Sequence, residues 1–418
     1  MFRDLKSWTL AAAVAVLIPG SGGAQQPRPI EEQHCTGQAG VTSEVQAAAC
    51  TALIDSHRFA RQNLAILHSN RGIAYGRAGD YRRAIANFDA ALRINPNYVR
   101  AYLNRGNANF ARRDFDRAIA DFGHAIRLEP RNAQLLMSRA TAQEAKGDLI
   151  RAIADYDLAL RLDPNSAAAL SARALAWRRS GNLDRAIADF DQIIRNNPRD
   201  MVAYNNRAIS FAEKREYDRA AADYEQAFKI DPKFAPTYLN RGLLWQARKD
   251  YDRALADFDQ AIQLAPDNAA ALNARGVTLG IKGEFDRAVE DLDKAVTIES
   301  NNANYLDNRG NVWRDRGQFD RAVEDYDKAI AISPGFAFAF YNRAQAHYLA
   351  GRFSQALADA EKAAALNQNS AQALSLRGLI REKLGARDEA IADLRRAAAL
   401  DPNLTQAVDA LGRMGVAR

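Results

Sequence analysis

The sequence predicts an all-α protein, a solenoid of about ten stacked helix pairs, and three observations carry that expectation. Arginine recurs at 71, 105, 139, 173, 207, 241, 275, 309, 343 and 377, always 34 residues apart. Alanine keeps the same step at 84, 118, 152, 186, 220, 254, 288, 322, 356 and 390. Proline stands at 96, 130, 164, 198, 232, 266, 334 and 402, with Ser300 and Gln368 the two exceptions in the series. A period of this size marks a repeat array, in which each repeat is stabilised by its neighbours rather than by one central core. Ten repeats run from Ala65 to Leu404.

Ahead of them, residues 1–24 read as a signal peptide. Arg3 and Lys6 precede an apolar run from Trp8 to Ile18, Pro19 and Gly20 break the run, and Gly22, Gly23 and Ala24 supply small residues for cleavage. The run is too short to span a bilayer, and no later segment is apolar enough to do so. The expectation is an exported chain in a bacterial periplasm with no membrane span in the mature protein. Residues 25–64 form an amino-terminal cap, with Thr42 to Ser56 as a lone helix covering the first repeat. This cap holds both cysteines, Cys35 and Cys50, and an exported pair in an oxidising compartment is expected to form a disulfide. Their spacing is not that of a redox motif, and His34 beside Cys35 has no further clustered ligands, so no metal is expected.

Within a repeat, counting Ala65 as place 1, place 7 is Arg, place 8 is Gly or Ala, and place 11 is often a large ring (Tyr75, Trp177, Phe211, Trp245, Trp313). Those places form one stripe of a first helix. Place 15 is Gly in seven of ten repeats, where a helix would end in a left-handed residue. A second stripe follows at i, i+4, i+7 (Ala84, Phe88, Ala91 in the first repeat), the spacing of a helix face. Proline at place 32 stops the second helix. Residues 405–418 are expected to add a polar capping helix, as repeat arrays require.

At these columns the chain resembles the tetratricopeptide repeat (TPR) family, whose pattern of small residue, aromatic, Ala, aromatic, Ala and Pro is met by "NRGNANFARRDFDRAIADFGHAIRLEP" and its neighbours. The resemblance implies a right-handed superhelix of helix pairs whose first helices line a concave groove.

The recurrent arginine needs its own reason, because burying an unpaired guanidinium is costly. Place 23 of the second helix is Asp in nine repeats and Asn87 in the first, at the edge of the packing stripe. Arginine and aspartate are therefore expected to meet between the two helices of a repeat as structural ion pairs, for example Arg105 with Asp121, Arg241 with Asp257 and Arg309 with Asp325. This NRA…D combination is similar to the middle repeat of co-chaperones that clamp a terminal carboxylate. The flanking basic residues of that clamp are missing: the matching places hold Ser69, Leu103, Met137, Leu239 and Asp307, or Ile66, Gln134, Ala168 and Pro236, with Arg100 alone basic. No carboxylate clamp is expected.

The candidate binding residues stand at place 6, which is asparagine at Asn70, Asn104, Asn206, Asn240, Asn308 and Asn342. The TPR array of O-GlcNAc transferases carries asparagines at the matching place, where they hold an extended peptide backbone. The asparagines here fall into neighbouring pairs, 70 with 104, 206 with 240 and 308 with 342. Nearby groove residues mix amides (Asn107, Asn311, Gln345) with apolar side chains (Leu175, Leu243, Phe110, Tyr348), which suits an extended, partly apolar protein segment.

Other chemistries find little support. The net charge is +6, but it is spread through every repeat as Asp-Arg pairs rather than gathered into a basic run, so nucleic acid is not the expected partner. The five histidines fall at unrelated places and none has a serine or cysteine partner nearby in the pattern; His347 occupies the aromatic core place. No glycine-rich phosphate loop is present, since the glycines belong to helix pairs and turns. The expected function is a non-enzymatic scaffold, with no catalytic residues and no cofactor, that binds a protein or peptide segment in cell-envelope assembly or secretion. The alternatives are a basic binder of anionic polymer and an accessory subunit of an envelope enzyme.

Overall fold

The computed structural model describes residues 30–416, so the proposed signal peptide over 1–24 lies outside the described residues. Every regular element among the described residues is a helix. Two short helices, Ile30–Thr36 and Ser43–Asp55, are followed by ten helix pairs and by a terminal helix, Thr405–Arg413. The chain divides into two compact halves, one reaching Arg215 and one beginning at Glu216, so the fifth repeat gives its first helix to one half and its second to the other.

Three local devices shape each pair. Five second helices open on a side chain that accepts a backbone N–H: Asp80 from Arg83, Asp114 from Arg117, Asp148 from Arg151, Asn182 from Arg185 and Asp250 from Arg253. First helices use Asn132, Ser166, Asp200, Asn268, Asn302 and Ser370 in the same way. Between the two helices of a pair, all ten repeats place a left-handed residue at place 15. Seven are glycines, and the other three are Arg113, Arg215 and Lys249, with φ of 63°, 64° and 61°. The turn therefore demands this conformation, at a steric cost of about 1–2 kcal/mol wherever a Cβ is present. At the far end, the residue before proline is extended, as for Asp163 (φ −137°) and Asp231 (φ −140°). Glu299 (φ −125°) and Asn367 (φ −136°) hold a similar φ before Ser300 and Gln368, so the turn forms there without proline.

Packing within a pair sets a glycine or alanine against a ring in seven repeats, and against Leu292, Ala360 or Leu394 in the other three. A Cβ built on Gly242 would lie 2.4 Å from Phe258 Cε1, and one on Gly106 would lie 2.6 Å from Phe122 Cε1. Phe88, Phe122, Phe190 and Phe258 are fully buried, flanked by buried alanines such as Ala254 and Ala261. The core is thus a row of small clusters, one or two per repeat.

At the amino-terminal end, the helix expected over 42–56 is present, and helix Ile30–Thr36 is an addition that the sequence pattern did not indicate. The first helix of repeat 1 begins at Arg61, one turn ahead of the periodic pattern. Cys35 and Cys50 are joined by a disulfide, with Cα atoms 4.7 Å apart, and pack with Leu53 and Leu67. Gln46 ties this cap together: its Nε2 donates to the Cys35 carbonyl (3.2 Å), and its Oε1 accepts from Arg77 Nη1 of the first repeat (3.3 Å). Closing a loop of separation 15 should stabilise the cap by about 3 kcal/mol. Urea unfolding of the oxidised and reduced proteins should differ by that amount in the amino-terminal half; coincident curves would show that the crosslink constrains nothing. At the other end Ala407, Ala410 and Leu411 of helix Thr405–Arg413 pack onto the last repeat beside Leu394.

Candidate peptide-binding face

The arginine column does more than the sequence pattern indicates. Arg241 donates from Nε and Nη2 to the two carboxylate oxygens of Asp257, at 2.8 and 2.7 Å, as a two-pronged pair within its repeat. Its remaining nitrogen, Nη1, donates to Glu225 of the preceding repeat. The same geometry joins Arg309 to Asp325 (2.8 and 2.6 Å) and back to Asp293 (2.7 Å), and Arg105 to Asp121 (2.6 Å) and back to Asp89 (2.5 Å). Arg173, Arg275 and Arg343 repeat it. Arg139 meets only its own Asp155, because Gly123 stands where the second carboxylate would be. Hydrogen bonds that Arg309 donates to Asp325 outweigh burial and raise the Arg309 pKa above its usual value. For Arg241, burial pulls the pKa down, and the bonds and charges of Asp257 and Glu225 more than offset it. With both carboxylates in place, the guanidinium charge is balanced, and these groups are structural ties rather than a site for an anionic ligand.

The asparagines at place 6 fall into different environments. Asn70 and Asn104 are buried, the latter only 2% exposed with an Oδ1 that finds no hydrogen-bond partner. Asn206, Asn240, Asn308 and Asn342 are half-buried. Accessibility along the column is therefore uneven, and the Asn70–Asn104 pair does not present two open amides. The structure also joins these side chains to something other than the next asparagine. Asn308 Nδ2 donates to Asn273 Oδ1 (2.9 Å), and Asn342 Nδ2 donates to both oxygens of Asp307 (3.0 and 3.1 Å). In both cases place 6 of one repeat reaches place 5 of the repeat before it, so the amides link neighbouring first helices laterally.

Around Asn308 and Asn342 this lateral bonding grows into a network across repeats 7 to 9. Asn311 Nδ2 donates to Asp307 (3.3 Å), while its Oδ1 accepts from Arg314 Nη1 (3.0 Å) and from the Tyr326 hydroxyl (2.9 Å). Arg314 Nη1 also donates to Gln345 Oε1 (3.0 Å), whose Nε2 donates to the Tyr341 hydroxyl (2.9 Å). On the first helix of repeat 9, Ala337–Leu349, the side chains beside this network are apolar and open: Phe338 is 68% exposed and Leu349 is 57% exposed. Burial pushes the Asp307 carboxyl above the usual aspartate range, against the pull of the Asn342 and Asn311 bonds. Sequence reasoning named Asn308, Asn342, Asn311 and Gln345, but had Asp307 only as a departure from the carboxylate clamp.

His347 sits in the core place at 8% exposure, and burial holds its pKa below the ordinary value, which suits a packed neutral ring. Among the described residues, no cluster of His, Cys, Asp and Glu has the arrangement of a metal site. No helix among them is long and apolar enough to cross a membrane.

A stack of helix pairs tied by ion pairs, with amides and rings displayed along its first helices, defines a helical-repeat scaffold for protein–protein interaction. Family models described as tetratricopeptide repeat match residues 70–122, 110–167, 171–233 and 341–405, with further matches at 235–268, 269–302 and 310–351. The chain belongs to the tetratricopeptide repeat family, whose fold is typically a non-enzymatic scaffold. Among solved structures, one chain of the APC/C hetero-tetramer Cut9–Hcn1 is similar at 14% identity and a TM-score of 0.53, over 89% of this chain and 93% of that one. Yeast Tom70 is similar at 17% identity and a TM-score of 0.48, over 88% and 91%. PilW, described as a widely conserved type IV pilus biogenesis factor, is similar at 26% identity and a TM-score of 0.48, over 50% of this chain and 98% of its own. No curated protein sequence matches significantly.

Proposed function

We propose that the protein is an exported, periplasmic scaffold without a reaction of its own that holds an extended protein segment along its first-helix face, in cell-envelope assembly or secretion. The observation that carries this reading is the display of half-buried amides (Asn308, Asn311, Asn342, Gln345) on neighbouring first helices, next to the exposed ring of Phe338. Adjacent first helices pack about 8–10 Å apart, and an extended chain advances about 3.3–3.6 Å per residue. One repeat therefore meets about every third residue of a ligand. An amide carries two N–H donors and an acceptor, so Asn308 and Asn342, which each commit Nδ2 to a lateral bond, still have a second N–H to offer a peptide backbone. The pattern of residues 1–24 and the cysteine pair support the periplasmic setting. Pairing of the arginines with carboxylates removes the main support for binding an anionic polymer.

Short extended peptides selected from a random library on the full chain test the reading by fluorescence anisotropy. Asn308→Ala with Asn342→Ala should weaken binding about tenfold, from two contacts of about 0.5–1.5 kcal/mol each. Loss of the lateral bonds should lower the melting temperature only slightly. Peptides that bind the folded double variant as tightly as the parent would place the ligand elsewhere.

A further inference from the structure

Asp307 is the one acidic residue in its column. The other repeats hold Ser69, Leu103, Met137, Ser171, Asn205, Leu239, Asn273, Tyr341 and Ser375 at this place, all neutral. Asp307 is 6% exposed, and its carboxylate takes its hydrogen bonds from two neutral amides, Asn342 and Asn311. The buried aspartates of the pairing column differ: Asp257, Asp291 and Asp325 each meet a guanidinium within 2.7 Å. No cation among the described residues lies within 4.0 Å of Asp307.

The nearest candidate, Arg314, is committed elsewhere. Its Nη1 serves Asn311 and Gln345, and its Nε and Nη2 both donate to Asp315 Oδ1, at 2.9 and 2.8 Å. Asp315 therefore engages Arg314, whose charge acts on Asp307 only from beyond contact distance, and Asp307 has no cation bonded to it among the described residues. Amide donors stabilise a buried carboxylate but do not neutralise it, and such a charge is expensive to hold away from water. Burial accordingly disfavours its ionised form.

The surroundings match one kind of ligand group. Asn342, which clasps Asp307 from the next repeat, lies one helical turn after the open ring of Phe338 and next to Tyr341. A lysine or arginine needs a carboxylate for its head and an apolar wall for its methylene stem. We propose that Asp307 is the counter-charge for one lysine or arginine side chain of the bound segment, whose adjoining apolar residue rests on Phe338 and Tyr341. The proposal rests on the first-helix face being the binding face, and it gives the partner a chemistry: an extended segment with a basic residue next to an apolar one.

The test uses the full chain and peptides of one selected sequence carrying at its centre lysine, arginine, norleucine or acetyl-lysine. The parent protein should bind the lysine and arginine peptides at least about tenfold more tightly than the norleucine and acetyl-lysine ones, the range for a charge-assisted bond. Asp307→Asn keeps the shape and should bind all four alike, near the norleucine affinity. Equal binding of lysine and norleucine by the parent would overturn the proposal, as would a lysine preference that survives in Asp307→Asn. Should that variant not fold, the comparison of lysine with acetyl-lysine on the parent decides. Absence of a basic preference, with binding still weakened by Asn308→Ala and Asn342→Ala, removes this proposal and leaves the binding face standing. Binding indifferent to all of these changes removes both.

Discussion

Replacing Arg241 with alanine is expected to lower the stability of the carboxy-terminal half by about 3–5 kcal/mol, the range for stranding one member of a buried pair. Asp257 is 6% exposed on its side chain and loses both of its guanidinium bonds, while the more open Glu225 (58%) can turn to water. Most of the loss should therefore come from Asp257. Arg241→Met combined with Asp257→Leu removes the stranded charge and should recover much of the stability. In a double-mutant cycle the two single losses should exceed the double loss by about 1–3 kcal/mol. Strictly additive losses in urea unfolding would mean that the two side chains do not support each other. Because every repeat leans on its neighbours, the transition should also broaden as cooperativity along the array weakens.

Truncating Phe258 to alanine should cost a similar amount, about 3–5 kcal/mol for a fully buried ring. The ring lies against Gly242, where an added Cβ would stand 2.4 Å from Cε1. Gly242→Ala alone should then cost about 1–3 kcal/mol by overpacking. Alanine faces a ring at these places in repeats 3 and 4 (Ala140 with Tyr156, Ala174 with Phe190), so the cost belongs to the close approach in this repeat; repeat 9 has buried Ala344 and Ala360 there. Gly242→Ala with Phe258→Ala should accordingly cost less than the sum of the single changes. A double variant as unstable as that sum would show that the glycine does not owe its place to the ring.

Much of this architecture is written in single repeats. The small residue at place 8, the ring at place 24 and the arginine sixteen residues ahead of an aspartate all sit within one helix pair, and helical periodicity says which face each occupies. The helix pairs, the turn positions and the partner of Arg241 within its repeat could therefore be read without coordinates. Even the left-handed turn was legible in the seven glycines, although its persistence at Arg113, Arg215 and Lys249 was not, because those residues hide a backbone requirement behind an ordinary charged surface.

Contacts between repeats were decided by tertiary structure. Glu225, Asp259 and Asp293 belong to an acidic column broken at Gly123 and Arg395, and nothing local says that an arginine in the next repeat will reach back to them. The same is true of Asn342, which has the sequence of a groove amide and spends its donor on Asp307. That Asn104 is buried and Asn308 only half-buried has this origin too, since identical places acquire different neighbours. Periodicity specifies the direction of a side chain from its own helix axis. It carries no information on the stagger between one first helix and the next, and that stagger determines which side chains meet and which remain open to a ligand.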